Sequence, residues 1–101
     1  VTSDGVFAYV QVPADSTWET YERIMAEVGA EHPAGLIVHV AEPRADGGVR
    51  IVDVWESQAH YERFRDERLV PAVARVIGEQ RLAQAPPPAL DVLDVRSVLR
   101  P

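Results

Sequence analysis

Two side chains in the middle of this chain have the chemistry of a proton-transfer pair. His39 lies in the run Leu36 to Glu42, and Asp53 lies in the run Val49 to Glu56. Both runs are rich in β-branched residues, so each group is expected mid-strand. An imidazole titrates near neutral pH and suits general acid–base work. A carboxylate beside it orients the ring, or acts as the base itself where desolvation raises its pKa. The purely structural roles are a histidine bonded inside an interface and an aspartate paired with Arg50 or Arg96. Trp55 and Tyr9 offer aromatic faces suited to a flat ring, and the Tyr9 hydroxyl can donate a proton. Phe7, Ile37 and Ile51 add apolar wall, and Arg96 is a cation able to hold a phenolate or carboxylate. The candidate catalytic residues are therefore His39 and Asp53. The candidate substrate contacts are Trp55, Tyr9, Phe7, Ile37, Ile51 and Arg96.

Other chemistries find less support. The chain has no cysteine, which excludes a disulfide scaffold, a thiolate metal site and a cysteine nucleophile. It has no lysine, so a Schiff base on a lysine is excluded as well. The all-arginine basic set reads as a codon bias of the genome. His39 with Asp53 supplies too few ligands for a catalytic metal, and neither metal nor cofactor is expected. Gly47-Gly48 belongs to a hairpin turn and does not open a helix, so it is no phosphate loop. No nucleophile elbow is present. A net charge of −6 argues against nucleic acid or an anionic membrane as partner. No apolar run is long enough to span a bilayer. Val1 to Gly5 lack the basic-then-apolar pattern of a signal peptide, so the cytoplasm is the expected compartment.

These residues need elements to hold them, and 101 residues make one domain, 1–101. Gly5 to Val12 alternates as a first strand ended by Pro13. Ser16 with Glu19 fits a capping box. It opens a helix whose apolar stripe is Trp18, Tyr21, Ile24, Met25 and Val28. Gly29 or the His32-Pro33 step ends that helix. Gly35 to Glu42 and Val49 to Glu56 form the second and third strands. Ser57 caps a second helix with Tyr61, Phe64, Leu69, Val73, Val76 and Ile77 on its stripe. Pro71 is expected to break or kink it near Leu69. Pro86 to Pro88 is an extended linker, and Ala89 to Leu99 is the fourth strand. The order β-α-β-β-α-β is the ferredoxin-like, α+β arrangement: a four-stranded antiparallel sheet with both helices on one face.

Such a sheet leaves one face bare. The aliphatic set Val6, Val10, Val38, Val40, Val52 and Val54 is expected under the helices. The other face then carries Phe7, Tyr9, Ile37, His39, Ile51 and Trp55, too apolar for a lone monomer. A second copy, sheet facing sheet, is the expected cover, enclosing a small-molecule pocket between two chains. A hairpin loop of Asp46, Gly47 and Gly48 sets Ala45 opposite Val49, His39 opposite Trp55 and Ala41 opposite Asp53, all on one face; a two-residue loop would set Val38 opposite Trp55 instead, and the first is preferred because its other face is all Leu and Val.

The runs Gly35 to Val40, Gly48 to Ser57, Tyr61 to Phe64 and Arg68 to Ala72 resemble the dimeric α+β-barrel superfamily. Within it they are similar to small bacterial proteins of the antibiotic-biosynthesis monooxygenase type. The likeness covers roughly residues 35–75, and its most specific part is the run Asp53 to Ser57 entering a helix. It implies a homodimer with one small-molecule pocket per subunit. The superfamily includes cofactor-free oxygenases of aromatic, polyketide-like substrates, haem-degrading enzymes, lactone isomerases and polyketide cyclases. In several of them a Trp on the third strand, at the position of Trp55, lines the pocket. The asparagine that some oxygenases place beside that Trp is absent, with Ile51 or Asp53 in its region. The Asn-Trp-His set of the haem degraders has no match either.

The expected function is proton abstraction from a small apolar substrate, aromatic or polyketide-like, with cofactor-independent monooxygenation as the leading outcome. The alternatives are an isomerase or cyclase using the same pocket, or a dimer that binds a small ligand without turnover.

Overall fold

The structure is a computed structural model and describes residues 5–100. Val1 to Asp4, read above for a leader, lie outside the described residues. Strands β1 (Phe7–Gln11), β2 (Leu36–Pro43), β3 (Val49–Trp55) and β4 (Leu90–Val92) form one sheet in the order β2-β3-β1-β4. All three pairings are antiparallel. Helix α1 (Trp18–Val28) connects β1 to β2. A helical layer connects β3 to β4: α2 (Gln58–Phe64), a π-helical turn (Arg65–Leu69), α3 (Val70–Ile77) and α4 (Glu79–Gln84). This is the expected ferredoxin-like α+β architecture, with a short added helix and a fourth strand of three residues where Ala89 to Leu99 was expected.

Local chemistry explains the element boundaries. The α1 cap is Thr17 and not Ser16: its hydroxyl accepts from Thr20 N–H at 3.1 Å. Ser57 caps α2 as expected, accepting from His60 N–H at 3.1 Å. Pro71 has no N–H to give and its ring crowds the preceding turn. The helix meets this by widening: Val70 N–H reaches back to Arg65 O in the π turn, and Pro71 then sits in the first turn of α3.

The hairpin register differs from expectation by two residues. The loop is Ala45, Asp46 and Gly47, closed by Arg44 N–H to Gly48 O at 2.8 Å. Gly47, at φ 89°, supplies the left-handed residue such a loop needs. His39 therefore pairs with Asp53, and Ala41 with Ile51. A slip of two preserves the faces, so His39 and Asp53 still share one side. Near the start of β2 a bulge between Leu36 and Val38 sets Leu36 opposite Trp55. Ile37 is its extra residue and loses its expected place beside His39.

The helices cover the opposite face from the one expected. Tyr9, Trp55 and Tyr61 form the buried aromatic core, with Phe7, Leu36, Phe64 and Leu90 packed against it. Trp55 is 1 % exposed, whereas Val38 and Val40 on the other face are 43 % and 53 % exposed. The reason lies in the helical stripes. Tyr21 on α1 and Tyr61 and Phe64 on α2 are large rings that pack against Tyr9, His39 and Trp55. The valines of the far face are small and flat.

Gly35 couples β2 to α2. It sits at φ +83°, and a Cβ there would meet the His60 ring at 2.3 Å. His60 is half-buried, its Nδ1 held by Ser57 Oγ at 2.7 Å, although its place near a helix end suggests exposure. Gly35→Ala is expected to cost about 1–3 kcal/mol in stability, because strain and clash act together. Thermal unfolding measures this, and an unshifted midpoint would contradict it.

Candidate functional site

The three longest strands deliver their polar groups to one row. Asp53 lies on β3, an inner strand, and pairs across the sheet with Tyr9 on β1 and His39 on β2. All three side chains point under the helices. Asp53 is 7 % exposed, an ionisable group nearly out of water, and both of its oxygens are engaged. Tyr9 donates its hydroxyl to Oδ2 at 2.6 Å. His39 Nδ1 lies 2.5 Å from Oδ1. An ionised carboxylate only accepts, so this contact assigns the proton to Nδ1. His39 Nε2 is then the basic atom, and Tyr21 Oη stands 2.7 Å from it. At the far end Trp55 Nε1–H donates to Tyr9 Oη at 3.3 Å. One chain of hydrogen bonds thus runs Trp55, Tyr9, Asp53, His39, Tyr21. Among the described residues, no buried side-chain nitrogen or oxygen lacks a partner.

This network forms part of the wall of a cavity of about 340 Å³ between the sheet and the helices of a single chain. That volume is in the range of small-molecule sites. The rest of the wall is mainly aliphatic, with Ile24, Met25 and Val28 of α1 facing Leu69 and Val73. Gln11 and Ser16 lie at one end, and the segment from Gly29 to Pro33 at the other. That segment is tied down by Arg68, which donates to Val28 O and Glu31 O at 2.9 Å. The pocket expected between two facing sheets is therefore found inside one chain, because the helices lie over the aromatic face.

The expected site residues divide accordingly. His39, Asp53, Tyr9, Trp55 and Ile51 line the cavity together. Phe7 stands behind them, 5.6 Å from the Tyr9 ring and 5.5 Å from the Tyr61 ring, and is not part of the lining. Ile37 is carried off the lining by the bulge. Arg96 is also absent from it. Its side chain is 75 % exposed and donates to Asp94 Oδ2 at 2.7 Å, beyond the short fourth strand. Tyr21, whose spacing marks it as part of the apolar stripe of α1, joins them in the lining. The available signal was its hydroxyl: a tyrosine on a buried helical stripe needs a polar partner, and the facing strands offer few.

Tyr9 has a narrower role than its type allows. Burial, then the hydrogen bond to Asp53 and the charge of that carboxylate, push its hydroxyl far above the ordinary phenol range. Its proton is committed to Asp53, so Tyr9 positions the carboxylate. Tyr21 is raised too, first by burial and then by the Asp53 charge. Both tyrosines are neutral at physiological pH. In the unfolded chain they ionise near pH 10. Folding therefore holds protons that the unfolded state releases, and stability falls as pH rises above about 10. A denaturation series across that range checks this, and a stability flat to higher pH would contradict it.

Among the described residues, no group of three or more His, Cys, Asp or Glu side chains could hold a metal ion. Among these residues, too, no helix is long and apolar enough to cross a membrane.

No protein-family model and no curated protein matches the chain. Solved structures do. The cofactor-independent oxygenase SnoaB of Streptomyces nogalater superposes with a TM-score of 0.59 at 15% identity, covering 96% of this chain and 98% of that one. The monooxygenase from ActVA-Orf6 of Streptomyces coelicolor, in complex with nanaomycin D, gives 0.55 at 20% identity, covering 96% and 92%. The hydroxynitrile lyase of Passiflora edulis gives 0.51 at 10% identity, covering 96% and 99%. The fold is shared with all three along nearly the whole chain, and identities this low speak for the fold alone.

Proposed function

We propose that this protein is an enzyme in which His39 Nε2 removes a proton from a small, apolar, ring-bearing substrate held between the sheet and the helices. The observation that carries this reading is Asp53. A nearly buried carboxylate fixes the proton on His39 Nδ1 and leaves Nε2 as the base at the cavity wall. It also steadies the imidazolium that forms when Nε2 takes a proton. Tyr21 donates to Nε2 at rest; once Nε2 has taken the proton it no longer accepts, and the Tyr21 hydroxyl donates instead to the substrate oxygen as charge develops there. Trp55 supplies a ring face for stacking.

The outcome depends on the carbanion. An electron-rich one, flanked by a phenol or ketone, reacts with dioxygen without a cofactor. The substrate methylene loses a proton to His39, and the carbanion adds dioxygen to give a peroxide. That peroxide then loses water to leave a ketone. One dioxygen is consumed, with one oxygen atom in the product and one in water. The likeness of fold to a cofactor-independent oxygenase and a monooxygenase supports this outcome. A carbanion less prone to oxidation gives isomerisation or aldol cyclisation by the same first step.

The fold also supports a homodimer. Val38 and Val40 leave an exposed apolar patch on the sheet, opposite the cavity, and a second sheet laid on it would cover those valines. In this arrangement each chain keeps its own cavity. Native mass spectrometry reads the assembly, and a clean monomer would remove the dimer without touching the cavity.

Oxygen uptake with dihydroxyaromatic and anthrone-type substrates tests the reaction. Uptake matched one-to-one by ketone formation is expected. Rearranged product without uptake would replace oxygenation by isomerisation or cyclisation. Absence of any conversion, with the ligand bound, would leave a binding protein.

A further inference from the structure

The charge of the cavity wall defines a class of substrate more narrowly than its shape does. The ten permanently charged cationic side chains of the chain are all arginine, and all lie within the described residues. None of them lines the cavity, and the imidazoles that do are already engaged, His32 through Nε2 with Leu36 O at 2.7 Å and His39 with Asp53 and Tyr21. Arg68 adjoins the wall but is turned to the carbonyls of Val28 and Glu31 and lies over the Phe64 ring at 5.6 Å. Arg96, the group best suited by type to hold an acid, pairs with Asp94 at the surface. The charged carboxyl side chains of the wall are Asp53, deep in it, and Glu31 at the α1 end.

A ligand carboxylate or phosphate entering this space would give up water, find no guanidinium, and lie near the Asp53 charge. A phenol or ketone pays no such cost and can use the His39 and Tyr21 pair. We infer that the cavity selects uncharged ring compounds, phenols and ketones, and rejects ring carboxylates and phosphate esters of the same size. This rests on the proposed function only in taking the same cavity as the substrate site.

The test is binding, not turnover. Isothermal titration at about pH 7 compares 2-naphthol, which is neutral there, with 2-naphthoate, which is ionised. The naphthol is expected to bind at least about tenfold more tightly. Glu31→Arg places a cation in the wall, on an exposed residue, and is expected to narrow that ratio several-fold. Raising the salt concentration should narrow the wild-type ratio less, because Asp53 is shielded from solvent. Equal affinities, or tighter binding of the naphthoate, would overturn the inference, as would failure of both compounds to bind. Selective naphthol binding in a protein that turns over no substrate would sustain the inference and remove the proposed reaction instead.

Discussion

His39→Ala is expected to lower turnover by roughly 100- to 10,000-fold, the usual contribution of a positioned general base. The fold should survive. The His39 side chain is 27 % exposed, and its removal leaves Tyr21 able to reach water entering the cavity. Circular dichroism and a thermal midpoint check that the protein is intact. The loss should fall on the rate constant more than on substrate affinity, because the aliphatic wall is unchanged. Added imidazole, diffusing into the space left by the ring, should restore part of the rate. Turnover unaltered in an intact His39→Ala protein would remove His39 from the chemistry.

Asp53→Asn should approach the same loss by another route. The aspartate accepts two hydrogen bonds, from Tyr9 at 2.6 Å and from His39 at 2.5 Å. An asparagine has one oxygen to accept and one amide group to donate. Its oxygen can keep Tyr9, which leaves the amide facing His39 Nδ1. The ring then carries its proton on Nε2, where the base is needed. The expected loss is again roughly 100- to 10,000-fold, with the geometry nearly unchanged. The pH profile separates this from simple damage. The variant should lose the limb that reports His39 as base, whereas a merely destabilised protein would keep the limb at lower amplitude. An unchanged pH–rate profile would contradict the assignment.

Much of this was legible because periodicity and punctuation agree. The strand alternations, the Ser57 cap and the proline at position 71 place the elements to within a few residues. The parity of the hairpin set His39 and Asp53 on one face even though the loop was misplaced by one residue, since a slip of two leaves every side chain on its own side. The choice of face failed because hydrophobicity alone does not say which apolar surface a helix prefers. Valines and aromatic rings both qualify. What decided it was size: the rings at Tyr61 and Phe64 match those at Tyr9 and Trp55, and the Tyr21 ring stacks on His39. The bulge that removes Ile37 leaves no mark in the alternation of Leu36 to Val40. The fourth strand stops at Val92, and with it the reason to place Arg96 beside a substrate. Tyr21 was hidden by its own regularity, a polar tip on an otherwise apolar stripe.

The central claim is that Asp53 holds the proton of His39 on Nδ1 and leaves Nε2 basic at the cavity wall. Nitrogen-15 NMR of the ¹⁵N-histidine-labelled protein reads this directly, with His39 assigned by its loss in His39→Ala. The account predicts that the neutral ring carries its proton on Nδ1, with a switch to Nε2 in Asp53→Asn. A wild-type ring protonated at Nε2, or a tautomer indifferent to Asp53→Asn, would contradict it.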